Sequence, residues 1–352
     1  MVDWTEKGGG FVELKVLPGV LIPWYRENRR ALPWRERREA YPIWVSEIML
    51  QQTRVEAVKG YYARFLDRLP DIEALATCDD DELHKLWEGL GYYSRVRNLK
   101  KAAQVIMEVH DGEFPGDYAA VRALPGIGDY TAGAICSIAF DLPTPAVDGN
   151  VLRVLSRLRG DDEPIDLPAV KKRVREELEE IYPADCPGEF TQALMELGAT
   201  VCAPNGEPKC SICPCREFCQ GQAEWQKYPV KLPKKAKKQE DRTVFILRCG
   251  EHYAIEKRPG KGLLAGLWQF PNVAGHLSAA EAVAWAERAG LHPRNVEKSM
   301  DRNHIFTHIR WDLRGWFLEV DEMAGGYTWL TLDEIDAQAA LPTAFRQFRE
   351  EI

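Results

Sequence analysis

No apolar run in this sequence approaches the ~18 residues that a membrane-crossing helix needs, so no membrane partner is expected. The first residues, Met1 to Gly10, carry charge and glycine and have no apolar stretch like that of a secretory signal. Net positive charge is missing too: 46 Lys and Arg against 54 Asp and Glu give −8. Phosphate contact needs cations, so a nucleic-acid partner would have to be held by local features. No repeat of solenoid period is present. What is there is length. At 352 residues the chain suits two or three domains with large cores and needs no disulfide framework.

Cysteine is unevenly spent. Five of the nine cysteines fall within residues 202–219, spaced Cys202-x7-Cys210-x2-Cys213-x5-Cys219 with Cys215 as an extra. A reducing cytosol disfavours disulfides, so the crowding points to a metal site. Four thiolates in one short loop suit Zn2+ or an iron–sulfur cluster. Zinc knuckles usually show two CxxC pairs. Only one stands here, which favours a [4Fe–4S] cluster.

Residues 20 to about 222 read as mostly helical. Apolar positions in Ile43–Leu69 recur with a period near 3.6, and 72–88 and 94–109 repeat the pattern around a break at Gly89–Gly91. Composition then changes. A basic, proline-bearing stretch from Pro229 reads as a linker, and short β-like runs follow at Thr243–Arg248, His252–Glu256 and Arg310–Leu318, with a helix at Ser278–Ala289. The expected organisation is a multidomain chain. An all-α domain spans 1–228 and holds the cysteine loop at 202–219. A basic linker spans 229–241, and an α+β domain spans 242–352.

Leu124-Pro125-Gly126-Ile127-Gly128-Asp129 lies where one helix ends and another begins. Glycines there let the backbone turn tightly and approach a ligand. Amides at a helix N-terminus bind phosphate without side-chain charge, so this is a helix–hairpin–helix signature; an ordinary helix-to-helix turn is the alternative. The basic stretches Arg95–Arg97 and Lys231–Lys238 would add cations. Twenty residues past Gly128 stands Asp148, before Gly149-Asn150. It fits an N-cap, or a carboxylate that faces a sugar carbon and stabilises an oxocarbenium-like charge.

These residues resemble the DNA glycosylase superfamily that includes endonuclease III. Leu32-Pro33-Trp34-Arg35, the run Trp44–Thr53 and Gly89-Leu90-Gly91-Tyr92-Tyr93-Ser94-Arg95 are similar to the adenine DNA glycosylase (MutY) family. That resemblance runs over residues 23–220. It is thinner beyond, resting on Leu263–Pro271 and Phe306-Thr307-His308 in a Nudix-like domain. It implies a helix–hairpin–helix glycosylase fold and a monomer working in the bacterial cytoplasm on the nucleoid. The implied substrate is double-stranded DNA with A:8-oxoguanine or A:G mispairs.

The same resemblance implies residue roles. Glu47 would be the acid and base, Asp148 the stabiliser of the sugar cation, and Asn150 the group that holds the pair. A glutamate reaching solvent is the other reading of Glu47. Tyr130 stands where endonuclease III-like enzymes have a Schiff-base lysine; a phenol forms none, so strand cleavage is not expected. Leu32, Trp34, Arg35 and Glu196 would line the adenine pocket, although Trp34 also suits a core. Gln52 and Tyr92 would probe the base stack, and Gly126 and Gly128 would meet phosphate. Phe306, Thr307 and His308 would read 8-oxoguanine, with Thr307 in place of the family's usual serine. Cys202, Cys210, Cys213 and Cys219 would hold the cluster. The Cys202–Cys210 gap is one residue longer than usual, and Cys215 is a spare thiol. The helix at 278–289 has Glu281 and Glu287 but lacks the clustered carboxylates of a working Nudix hydrolase.

Overall fold

The computed structural model describes residues 14–233, 236–324 and 326–352. Met1 to Gly10, and Lys234–Lys235 of the basic stretch, lie outside the described residues. Two compact units emerge. One takes the chain up to Thr77 together with Arg97–Pro233, and the other takes Cys78–Val96 together with the chain beyond Pro233. Among the described residues, no helix is long and apolar enough to cross a membrane.

The helices run, in chain order, α1 (Leu17–Asn28), α2 (Ala40–Leu50), α3 (Val55–Arg68), α4 (Ile72–Thr77), α5 (Asp80–Leu86), α6 (Ser94–Val109), α7 (Tyr118–Ala123), α8 (Asp129–Phe140), α9 (Gly149–Arg159), α10 (Pro168–Glu179) and α11 (Pro187–Thr200). The periodic stretch 43–69 is thus two helices. The chain turns between them, where Gln52 is left-handed with φ 58°.

The first unit is all-helical around a core shared by α1, α9, α10 and α11. Val151, Val154, Leu155 and Leu158 of α9 pack there against Leu17, Leu21, Leu194 and Leu197. These positions keep the helical period, so one face of α9 is apolar. In contrast, α2 is buried from Tyr41 to Met49, and α8 from Thr131 to Ile138. A helix buried on every side carries a carboxylate only where that group has a partner or stays neutral.

The second unit holds strands β1 (Lys238–Cys249), β2 (His252–Lys257), β3 (Trp268–Gln269), β4 (Asn272–Ala274), β5 (Pro293–Ile305), β6 (Ile309–Val320) and β7 (Thr328–Thr331), with helices α12 (Ala279–Arg288), α13 (Leu332–Gln338) and α14 (Thr343–Arg349). The sheet order is β3-β2-β1-β6-β5, with β4 paired to β1 and β7 to β2. Strand β1 runs parallel to β6, from Lys238 opposite Ile309 to Arg248 opposite Glu319. Val244 and Ile246 enter one core cluster with Phe345 and Phe348, while Phe245 and Leu247 enter the other with Ala282 and Ala286. A strand covered on both faces reads as an unbroken apolar run, which is what residues 244–247 present. Glu281 caps its own helix by accepting from the Ser278 amide at 2.8 Å.

Two boundaries differ from expectation. The linker is not free over 229–241. The Ile165 amide donates to the Val230 carbonyl at 3.0 Å, the Leu232 amide donates to Asp166 at 3.1 Å, and β1 already begins at Lys238. The helical domain is also not continuous over 1–228, because Cys78–Val96 groups with the sheet. There the Leu341 amide donates to Glu88 at 2.9 Å, and Lys257 pairs with Asp81 at 2.8 Å. Composition hides this, since Cys78–Val96 carries helix α5 and the start of α6 and so reads as part of the helical run.

Candidate active site

One cavity of about 1520 Å³, mouth included, gathers Leu32, Trp34, Arg35, Glu47, Gln52, Tyr130, Asp148, Asn150 and Glu196. These positions span the helical sequence, and the fold brings them to one place. Glu47 projects from the buried helix α2 and is 6% exposed. Tyr130, on the first turn of α8, donates to Glu47 Oε2 at 2.6 Å. Burial pushes the Glu47 carboxyl up to about 7; the Tyr130 bond pulls it back, and Asp148 pushes it further. Burial and the two carboxylates hold the Tyr130 phenol well above its ordinary range, so it remains a donor.

Asp148 is the N-cap of α9. Its Oδ1 accepts from the Asn150 and Val151 amides, each at 2.8 Å, and its Oδ2 accepts from Asn150 Nδ2 at 2.6 Å. Burial raises its pKa, while these three N–H donors oppose the rise by favouring the carboxylate. Capping and facing the cavity are therefore one geometry here. Arg153 fixes the Asn150 amide, since a guanidinium can only donate: Arg153 NH2 reaches Asn150 Oδ1 at 2.8 Å, which leaves Nδ2 for Asp148. The same buried guanidinium donates to the Gly198 carbonyl at 2.7 Å and the Cys202 carbonyl at 2.9 Å. Gly198 allows the approach. A Cβ there would lie 2.6 Å from Asn150 Cβ.

Glu196 lines the cavity but its carboxylate is occupied. It accepts from Arg30 Nε at 2.7 Å and NH2 at 2.9 Å, and from Arg35 NH2 at 2.8 Å. Burial alone would raise its pKa, yet the two arginines outweigh burial and hold it down to about 2. Trp34 is both wall and core: it lines the cavity, is 7% exposed and meets Tyr62 edge-on at 5.6 Å.

The hairpin Leu124–Gly128 joins α7 to α8. Gly126 has φ 79°, and a Cβ would stand 2.6 Å from Asn98 Cβ, so glycine is required there. Gly128 caps α8 without a side-chain acceptor, which leaves the first amides of α8 without a side-chain cap.

In the loop, Cys202, Cys210, Cys213 and Cys219 line one small recess together with Arg157, Pro208 and Trp225. Cys215 does not line it and is fully buried in the α9–α11 core. Among the described residues, no three of His, Cys, Asp and Glu converge on a single-ion site. Four thiols on one recess are a donor set of the kind that iron–sulfur clusters take.

In the second unit, Phe306–His308 forms the turn between β5 and β6, closed by the Phe306 amide donating to the Ile309 carbonyl at 2.8 Å. Thr307 and His308 are exposed, while Phe306 leans on Trp311 at 4.8 Å. Thr307 Oγ1 lies 3.4 Å from Tyr92 Oη. Tyr92 is left-handed at φ 45° and 46% exposed. Arg95 is not the outward cation expected of it. Its guanidinium lies 5.3 Å over Trp87 and 5.6 Å over Tyr92 and donates to the Leu90 carbonyl at 2.9 Å.

Residues 45–184 match the model of the HhH-GPD superfamily of base excision DNA repair proteins, and residues 243–351 match the NUDIX domain. The adenine DNA glycosylase of Rattus norvegicus is 33% identical over 395 residues, covering 93% of this chain and 76% of that protein. The chain belongs to the adenine DNA glycosylase family. Its Homo sapiens relative is 34% identical over 95% of this chain and 73% of the other. A relative from Buchnera aphidicola is 34% identical over 82% and 83%. Among solved structures, a thermostable thymine-DNA glycosylase matches with a TM-score of 0.55 and 30% identity, covering 60% of this chain and 97% of that one. A non-covalent endonuclease III–DNA complex, at 21% identity and a TM-score of 0.52 over 62% and 99%, shares the fold. The family makes this chain a DNA glycosylase of base-excision repair.

Sequence reasoning missed Arg30, Gln192, Met195 and Arg153. Gln192, Met195, Glu196 and Ala199 all line the cavity, at positions i, i+3, i+4 and i+7 of α11. Glu196 and the helical period together were enough to find them. Arg153 does not line this cavity, and nothing in the sequence marks it.

Proposed function

We propose that this enzyme hydrolyses the N-glycosidic bond of adenine paired with 8-oxoguanine or guanine in duplex DNA, and that it does so without cutting the strand. The observation that carries the reading is that Glu47 and Asp148 line one cavity with unlike partners: Glu47 accepts from one phenol, Asp148 from three N–H groups. A flipped adenine enters the cavity, with Leu32, Trp34, Arg35, Gln192 and Glu196 around it. Glu47, protonated up to about pH 7, gives its proton to adenine N7. The C1′–N9 bond breaks and its electron pair leaves with the base. Asp148 faces the sugar cation as a carboxylate, or traps it covalently, with Asn150 holding its geometry. Water then adds at C1′ and returns a proton to Glu47. Two carboxylates take two roles because their partners differ.

Tyr130 offers no amine, so no Schiff base forms and the product is an abasic site. Gly126 and Gly128 present hairpin amides to a phosphate, and Gln52 and Tyr92 enter the opened stack. Phe306, Thr307 and His308 read the base opposite. Cys202, Cys210, Cys213 and Cys219 would hold a [4Fe–4S] cluster that shapes the loop structurally. Excision of adenine requires no electron.

The test is release of adenine from A:8-oxoguanine duplex with and without alkali. Free base with strand scission only after alkali is expected. Release of thymine from T:G duplex instead would favour the thymine-specific activity named for the structural relative. Asp148→Asn and Glu47→Gln should each keep duplex binding and lose excision. Retention of excision within about tenfold by either would remove that residue from the chemistry.

A further inference from the structure

Three buried hydroxyl groups stand behind the cavity without lining it: Tyr182, Thr191 and Ser137. The Ala146 amide lies 3.3 Å from Tyr182 Oη, which lies 2.9 Å from Thr191 Oγ1. Thr191 Oγ1 lies 2.7 Å from Ser137 Oγ, which lies 3.3 Å from the Ala134 carbonyl. The two ends set the direction. A backbone amide can only donate and a carbonyl can only accept, so each hydroxyl receives from one side and donates to the next. Burial pushes the Tyr182 phenol up to about 12, so it keeps the hydrogen this order needs.

The chain of hydroxyls ties together the parts that carry the site. Ser137 is on α8 with Tyr130, Thr191 is on α11 with Gln192 and Glu196, and Ala146 precedes Asp148 by two residues. Residues 141–148 form no helix or strand, so no ladder of backbone bonds sets their position. The neighbouring contacts are close: Thr144 Oγ1 donates to the Gly133 carbonyl at 3.2 Å, and a Cβ on Gly133 would lie 2.1 Å from the Pro145 carbonyl oxygen. The hydroxyl relay joins this segment to both helices through side chains whose hydrogen bonds have direction. Apolar groups of the same shape would fill the space without fixing an orientation.

We propose that Tyr182, Thr191 and Ser137 are positioning residues for base excision: their relay sets the backbone at Ala146 and thereby the placement of Asp148 against Glu47 and Tyr130. This rests on the reading of Asp148 as the group that faces the sugar. Tyr182→Phe and Thr191→Val should each slow single-turnover adenine excision from A:8-oxoguanine duplex by roughly tenfold, as small misplacements of reacting groups do. Duplex affinity should not change. Thr191→Ser keeps the hydroxyl and should restore the rate. The double variant should be no slower than the slower single, because a broken relay cannot be broken again. Ser137→Ala, which removes the last hydroxyl only, gives the same readout with the least change in packing. If Thr191→Ser is as slow as Thr191→Val, or the two losses multiply, packing and not the relay is responsible and the proposal fails. Asp148→Asn in the same assay separates the two readings: retained excision there would sink the role of Asp148 whatever the hydroxyl variants do.

Discussion

Tyr130 gives its phenolic hydrogen to Glu47 across 2.6 Å, and this bond favours the ionised form of a carboxyl that burial pushes up to about 7. Tyr130→Phe removes the donor. Glu47 should then hold its proton to higher pH. If that proton is the one delivered to adenine, the alkaline limb of the single-turnover pH profile should shift upward. An unmoved limb would separate Glu47 from proton delivery.

Glu47 also limits stability. Its ordinary value is 4.5 and its folded value about 7, so between these the folded state binds more protons than the unfolded one. Stability therefore falls as pH rises through that window and stays lower above it. Glu47→Gln should be more stable than the parent at mildly alkaline pH, by up to about 3 kcal/mol. At pH below 4.5 the difference should vanish. Urea unfolding at the two pH values measures it.

Glu196 has the opposite sign. Its carboxyl is held down to about 2, so the stability it brings is present above its ordinary 4.5 and is lost as pH falls towards 2. Glu196→Gln leaves Arg30 and Arg35 without their shared carboxylate. Losing one partner of a buried ion pair costs roughly 3 kcal/mol. Urea unfolding should show that loss at neutral pH, shrinking as the solution is acidified.

The recess in the cysteine loop divides the thiols. Alanine at Cys202, Cys210, Cys213 or Cys219 should lower the iron and sulfide content and the visible absorbance of the purified protein. Cys215→Ala should leave both unchanged, because that thiol lies in the core and outside the recess. Its cost is a small cavity, which thermal unfolding would show as a modest loss. Loss of iron in Cys215→Ala would make it a ligand.

Thr307 is exposed on the β5–β6 turn beside Tyr92. Thr307→Ala should leave excision from A:G duplex unchanged and reduce the preference for A:8-oxoguanine by roughly two- to tenfold, the worth of one neutral hydrogen bond. Equal rates for the parent and the variant on both duplexes would take Thr307 out of lesion reading.

How legible this was differs from place to place. Asp148 stood out as a carboxylate at a helix start beside the hairpin, whereas Glu47, Tyr130 and Asn150 stood out only through the resemblance to the glycosylase family. The glycines of the hairpin stood out because the turn needs them. Long-range pairing was less visible. Strand β5 is largely exposed and polar, so it has little apolar signal, and β3, β4 and β7 are too short to show a period. Arg153 and Tyr182 could not be found, since their importance lies in backbone carbonyls and amides that only the fold brings near. Arg95 misled for a related reason: a cation reads as outward until an aromatic pair is seen to hold it.

The second unit is made in two instalments. Cys78–Val96 leaves the ribosome first, and Arg97–Pro233 follows before the sheet is synthesised. Leu83 and Trp87, buried in the finished protein, must wait through that interval. The contact between the two parts waits until Leu341 is made and its amide reaches Glu88. A premature stop codon in the final strands would therefore damage the segment that carries Tyr92, hundreds of nucleotides upstream in the message.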